Sequence, residues 1–340
     1  MTDIWTKLKS ETRPILLYGS GDGAEKIYAE LIRNGIKISG VFASDGFRKN
    51  RKFKGFDIIT FSAAKERFGD FLGLFAFGSN TGEVLNGVRQ MKREREILVA
   101  EMPVCGSLPF NIEFARENAE NLKAVYELLA DEQSKNVFEQ TVLFKLDGNM
   151  DRLFICETYE NEAFDNILKL EKGSSFLDLG AYNGDTVLDF VNRVGEYSYI
   201  TAIEPDKKSF EKLTANTKHL KIDCINAAIS DKCGQIPFSF KGSRGSVFGG
   251  TDSVKAVTAD SLGKTFDYIK FDVEGQELSA ILGAKELITE HKPKMLISCY
   301  HRIDDYFKIP LEVLKIRPDY KVYMRHYPYI PAWDTNFYFI

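Results

Sequence analysis

Cysteine is scarce and poorly placed for pairing. The five thiols, Cys105, Cys156, Cys224, Cys233 and Cys299, form no CxxC pair and no zinc-like spacing. Their odd number points to free thiols in a reducing compartment, and none is assigned chemistry. No stretch approaches the roughly 20 apolar residues that span a bilayer, and the opening MTDIWTKLKSETRP has neither the apolar run nor the cleavage site of a secretory signal. A cytoplasmic address with no membrane partner is therefore expected. Charge of one sign is not in excess: 45 Lys and Arg face 49 Asp and Glu, a net charge of -4, with the basic residues spread along the chain. That leaves no electrostatic footprint for nucleic acid. Low-complexity tracts and repeats of solenoid period are also missing. What remains is a chain of 340 residues, 44% hydrophobic and 28% charged, with globular composition and length for two domains.

The pattern along the chain changes twice. Over residues 1–105, short apolar runs (ILLYG, KISGVFAS, LGLFAFGS, ILVAEMPV) alternate with helical patterns, which predicts a smaller Rossmann-like α/β domain with a parallel sheet. Residues 106–173 carry apolar positions at helical spacing and no strand-like run, so a helical connector is expected. From 174 to 340 strands and helices alternate again.

The stretch FLDLGAYNGDTVLDF, residues 176–190, reads as a buried strand, a glycine turn and a helix that stops at Gly195. In a doubly wound sheet this is where a nucleotide approaches the backbone. Asp178 ends the strand and Asp185 opens the helix, which suits a cationic group better than a pyrophosphate. About 20 residues on, YITAIEPD ends a second strand with Glu204, placed to accept hydrogen bonds from both ribose hydroxyls. An adenosine with a positive tail and no phosphate fits these groups, and S-adenosylmethionine is such a molecule.

FLDLGAYNGDTVLDF, AIEPD, INAAISDKCG and DYIKFDVEGQELSAILGAKELI, in this order and spacing, resemble the motifs of the FkbM family of S-adenosylmethionine-dependent methyltransferases over residues 174–340. The resemblance implies a class I methyltransferase fold, a doubly wound, mostly parallel sheet with a C-terminal antiparallel hairpin, and methylation of hydroxyl oxygens on sugars or similar small molecules. It further implies that Asp178, Gly180, Asn183 and Gly184 line the methionine part, Glu204 the ribose, and Ala227 with Ala228 the adenine edge. Ala181, Asp185, Thr186 and Pro205 lie in the same strings and complete the expected cofactor set, and Asp260 is a candidate for the adenine side. KFDVEG would place Lys270, Asp272 and Glu274 at the mouth of the site. Many members follow the next strand with a glutamate and a histidine; this chain has MLISCYHRIDD, which keeps His301 without that glutamate and leaves the substrate class open.

Strand alternation independently puts Lys270, Asp272 and, if the strand extends, Glu274 on one side, at the end of the strand where open α/β sheets bind ligands. His301, at the end of KMLISCYH, is the expected proton acceptor because its unperturbed pKa lies near working pH, and Asp272 is second. Asp272 could equally cap the following helix, with Glu277 downstream, and His301 could be a strand-end histidine bonded to a loop. Asp272, Glu274 and His301 offer ligand atoms of the type that hold Mg2+ or Mn2+, but no tight spacing supports a metal and none is assigned. His326 reads as structural. Arg244 or Ser246, in the glycine-rich stretch before Asp260, could touch substrate, although a solvated hairpin is the favoured reading.

A second glycine loop, GSGDGA at residues 19–24, follows ILLY, and Asp45 ends the next strand, so a dinucleotide fingerprint is met in form. Asp22 and Glu25 crowd the phosphate position, which favours an unused or repurposed loop. Residues 13–80 also loosely resemble the nucleotide-sugar-binding domain that precedes some bacterial sugar acyltransferases; RKNRKFK, Arg48 to Lys54, would then meet a phosphate, though a solvated basic loop is preferred. The expected function is methyl transfer to a hydroxyl of a sugar, nucleotide-linked sugar or similar small-molecule acceptor. A non-catalytic sensor of a nucleotide or S-adenosylmethionine is the alternative, and a nicotinamide-dependent oxidoreductase ranks last.

Overall fold

The computed structural model describes residues 2–47, 51–159, 161–239, 247–248 and 252–340. Arg244, Ser246 and the first three residues of the basic run at 48–54 lie outside them. The chain forms two compact units. One comprises Met1–Tyr126, Lys135–Thr158 and His326–Asp334; the other comprises Glu127–Ser134, Tyr159–Arg325 and Thr335–Ile340. The helical segment after residue 106 is thus shared between them. Among the described residues no helix is long and apolar enough to cross a membrane.

The first unit is built on six strands, β1 (Ile15–Tyr18), β2 (Gly40–Ala43), β3 (Lys52–Phe53), β4 (Phe56–Thr60), β5 (Leu72–Phe75) and β6 (Glu96–Leu98), in the order β3-β4-β2-β1-β5-β6. All neighbours are parallel except the short β3, which is antiparallel to β4. Both faces are covered because alternate residues of each strand feed different cores. Ile15 and Leu17 join Ala24, Ile27 and Leu31 of the helix Asp22–Arg33, whereas Leu16 and Tyr18 join Phe42, Phe75 and Val88. Asp45 does not reach toward a ribose position: its carboxylate accepts hydrogen bonds from the Ser62 amide and hydroxyl at the start of the helix Phe61–Phe68. Lys54, the last residue of the basic run, pairs with Glu25 at 2.6 Å. His326 is fully buried in this unit; burial and the Lys145 ammonium push it down to about 3, so it is a neutral, structural imidazole.

The second unit carries a seven-stranded sheet, β7 (Phe176–Leu179), β8 (Ile200–Ile203), β9 (Ile222–Ile225), β14 (Tyr268–Phe271), β15 (Lys294–Ser298), β16 (Val322–His326) and β17 (Thr335–Phe339), and between β9 and β14 the four strands β10 (Ala228–Ile229), β11 (Gly234–Ser239), β12 (Val247–Phe248) and β13 (Asp252–Val257). The main sheet runs β16-β17-β15-β14-β7-β8-β9, parallel from β15 to β9, with β17 antiparallel to β15. β10 to β13 form a separate small sheet in which β11 and β13 make the expected hairpin. Phe176, Phe190 and Tyr268 stack beneath the first strand–helix junction, fixing the helix Asp185–Val194 on the sheet. At the sheet's other edge Arg325, almost wholly buried, forks onto Asp131 and Glu162 at 2.6–2.9 Å and donates to Ser134. That network ties the segment 127–134 to β16. Parallel order and a C-terminal antiparallel pair together make a doubly wound α/β sheet, and its strand reversal point lies between β7 and β14.

Candidate active site

The turn after β7 is set by two glycines. Gly180 has φ +84°, and a Cβ there would stand 1.9 Å from the Asp272 carbonyl oxygen, so only glycine lets the β7 and β14 ends approach. Gly184, at φ +86°, precedes Asp185 at the helix start, where a Cβ would press on Leu213 and Thr217. Between them Gly180 and Ala181 donate their amides to the Ile203 carbonyl, and Tyr182 takes a left-handed conformation while its amide bonds Glu204 Oε2 at 2.8 Å. Asn183 Oδ1 accepts the Asp185 amide, and Asp185 in turn accepts the Thr186 amide.

Glu204, at the end of β8, is nearly buried. Its two oxygens take the amides of Tyr182 and Asp206, yet burial pushes it up to about 7. Pro205 follows, its carbonyl accepting Asn226 Nδ2. Ala227 and Ala228 are fully buried beyond β9. Asp260 is elsewhere engaged: its carboxylate accepts the amides of Glu286 and Leu287 and holds the start of the helix Lys285–His291, so the expectation that it faces the adenine is replaced by a capping role.

The charged groups converge at the β7, β14 and β15 ends. Asp178 is wholly buried, neither oxygen is hydrogen-bonded, and the Lys270 ammonium is 3.8 Å away. Burial pushes Asp178 up to about 6, against the pull of Lys270. The same ammonium lies 3.2 Å from Asp272; burial works to lower its pKa, but Asp272 and Asp178 outweigh it and the lysine stays charged. Asp272 is held below its ordinary value by Lys270 and His301 despite desolvation. Its Oδ1 also accepts the Tyr300 hydroxyl at 3.2 Å. Asp272 is no helix cap, since the helix Glu277–Leu282 begins at Gln276.

His301 is 1% exposed. Its Nε2 lies 3.6 Å from Asp272 Oδ1 and 3.7 Å from Glu274 Oε2, and its Nδ1 lies 2.9 Å from Glu277 Oε1. Burial alone would lower the imidazole; Glu277 first, then Asp272 and Glu274, raise it to about 10. The expectation of a histidine poised near neutral pH is therefore corrected: among three carboxylates the ring holds a proton at pH 7. Glu277 was visible in the sequence only as a residue downstream of a possible cap. The spacing DVEGQE puts it one loop beyond Asp272, but nothing in the string shows that it meets the far nitrogen of a histidine on another strand.

Asp272, Glu277 and His301 have ligand-type atoms close to one another. The two carboxylates meet opposite nitrogens of the ring, however, and Lys270 already neutralises Asp272.

The sheet order is that of the class I methyltransferase fold, with these groups at the carboxyl ends of β7, β8, β14 and β15. Residues 178–327 match the family model described as "Methyltransferase FkbM domain". A search of solved structures returned the methyltransferase FkbM from Methylobacillus flagellatus KT, with TM-score 0.76 and 21% identity, covering 97% of this chain and 90% of that one. It also returned a putative rRNA-methylase from Clostridium thermocellum (TM-score 0.36, 12% identity, 53% of this chain and 95% of that one). A putative methyltransferase from Streptococcus mutans in complex with SAH gave TM-score 0.33 and 9% identity, over 52% of this chain and 96% of that one. The comparison with curated proteins found no match.

Proposed function

We propose that the protein is an S-adenosylmethionine-dependent O-methyltransferase acting on a hydroxyl of a small metabolite such as a sugar or a nucleotide-linked sugar. The observation that carries this reading is the convergence of Asp178, Lys270, Asp272, Glu274 and His301 at adjacent strand ends, with Glu204 one strand away. Asp178, with two buried oxygens that no donor satisfies, fits the cationic methionine end together with Asp185 and the turn Gly180–Gly184; Glu204 fits the ribose, and Ala227 and Ala228 the adenine edge. When bound, S-adenosylmethionine supplies an electrophilic methyl group on a cationic sulfur.

The protein's own groups then have two tasks. Asp272 and Glu274 accept hydrogen bonds from acceptor hydroxyls, which orients one oxygen for in-line attack. The hydroxyl proton passes to His301 Nε2 as the oxygen bonds the methyl carbon, and the electrons of the broken C–S bond stay on sulfur. A ring protonated in the free protein can do this because added positive charge beside it lowers its pKa. Incubation with methyl-labelled donor and a panel of nucleotide sugars and free polyols tests the reading. Label in a hydroxyl ether supports it; donor binding without transfer to any acceptor points instead to the sensor reading.

A further inference from the structure

Glu277 has so far appeared only as a charge beside His301, yet it also touches the loop that carries Asp272 and Glu274. It is 1% exposed, and its Oε1 accepts the amides of Val273 at 3.0 Å and Gly275 at 3.3 Å while standing 2.9 Å from His301 Nδ1. The loop it holds carries Asp272 and Glu274, and Glu274 occupies the left-handed region at φ +51°. That conformation is strained for a non-glycine residue and persists only where the surroundings over-determine it. Here the amides on either side of Glu274 both end on Glu277.

We propose that Glu277 is the positioning residue of this site: one oxygen fixes Nδ1 as the ring nitrogen that keeps its proton, aims Nε2 between Asp272 and Glu274, and pins the loop presenting those two carboxylates. The inference rests on the methyltransferase reading for its catalytic consequence but not for its geometry. A carboxylate behind an imidazole sets its tautomer, orients it and makes the opposite nitrogen more basic. The charged and titratable groups facing the ring are Glu277 from the helix after the loop, Asp272 and Glu274 from the loop, Asp305 from the helix Asp305–Ile316 and, through Asp272, Lys270; the Tyr300 ring lies tilted by 41° beside it, centroids 4.2 Å apart. Asp305 is itself pushed up by burial and by the Glu277 charge.

Nitrogen-15 NMR of histidine-labelled full-length protein tests this without donor or acceptor, so its failure is distinguishable from a failure of the methyltransferase reading. Only four histidines are present, and His301→Gln assigns the signal. In the wild type Nδ1 should stay protonated and titration should lie well above that of an ordinary histidine. In Glu277→Gln the midpoint should fall by more than one pH unit, with donor affinity within threefold of wild type and turnover 10- to 100-fold lower. Glu277→Asp, which keeps the charge, should stay closer to wild type. A neutral ring protonated on Nε2 in the wild type, or the same midpoint in wild type and Glu277→Gln, overturns the proposal. Should Glu277→Gln fail to fold, the wild-type tautomer and midpoint alone decide.

Discussion

Lys270 and Asp178 are register partners on neighbouring parallel strands, and the ammonium of one lies 3.8 Å from the carboxylate of the other. The geometry makes a single cation serve two acids, since the same nitrogen is 3.2 Å from Asp272. Removing it should leave a fully buried carboxylate uncompensated, at a cost of about 3–5 kcal/mol for breaking a buried pair. We predict that loss in urea unfolding of Lys270→Met, and recovery of a substantial part of it when Asp178→Asn is added. If the two substitutions add as independent losses, the strands are not coupled through this contact.

On the proposed reading, in which Glu204 holds the ribose, donor binding should have a pH dependence of defined sign. Glu204 is pushed up to about 7, and only its ionised form can accept from both hydroxyls of a ribose. Affinity for S-adenosylmethionine should therefore rise with pH and level off above about 7, because bound donor favours the carboxylate. Glu204→Ala should lose both the slope and about 1.5–3 kcal/mol of affinity, the scale of hydrogen bonds to a charged group. Calorimetry at several pH values reads both quantities; a flat wild-type profile would remove Glu204 from the ribose.

Much of this site was legible before the fold was known, and the reason is local. The strand–glycine–helix string at 176–190 and the KFDVEG string each carry their own periodicity and turn residues, so their elements and the side chosen by Asp178, Lys270 and Asp272 follow from spacing. What was hidden depends on distant partners. Asp260 and Asp45 looked available in sequence and are taken by helix starts 26 and 17 residues away. His301 looked like an ordinary imidazole because the carboxylates that raise it arrive from a different strand end. The segment His326–Asp334 reads as an excursion within a hairpin, yet it packs with the first unit, where Ser79 pairs with Ile330 and the Trp333 ring fills the space above Gly78.

Arg325 is predicted to be a stability residue with no part in chemistry. Its planar fork meets Asp131 and Glu162 together, a geometry that a lysine ammonium cannot reproduce. Arg325→Leu should cost about 3–5 kcal/mol, since two partly buried carboxylates lose their counter-charge, and Arg325→Lys should recover only part of it. Denaturant midpoints measure the series. Wild-type stability in the lysine variant would show that charge alone, without the fork, holds this edge of the sheet.

The acid–base assignment makes the sharpest demand on the pH profile. Because the three surrounding carboxylates raise His301 to about 10, the proton-accepting form is scarce in the free protein at neutral pH and grows tenfold per pH unit below that value. The parameter kcat/KM reports groups of the free protein, so in the wild type it should climb through neutrality and flatten only near pH 10. The constant kcat reports the complex, where donor charge works against the imidazolium, so its inflection should come at lower pH. His301→Gln should abolish the climb above pH 7, leaving only the rise below it that Glu204 imposes through donor affinity, and lower the rate by about 10²- to 10⁴-fold, the usual contribution of a general base. Asp272→Asn removes one of the charges that raise the ring and should displace the wild-type inflection toward lower pH. A wild-type kcat/KM that levels near pH 7, or a climb above pH 7 that survives in His301→Gln, would show that the proton does not leave through the imidazole.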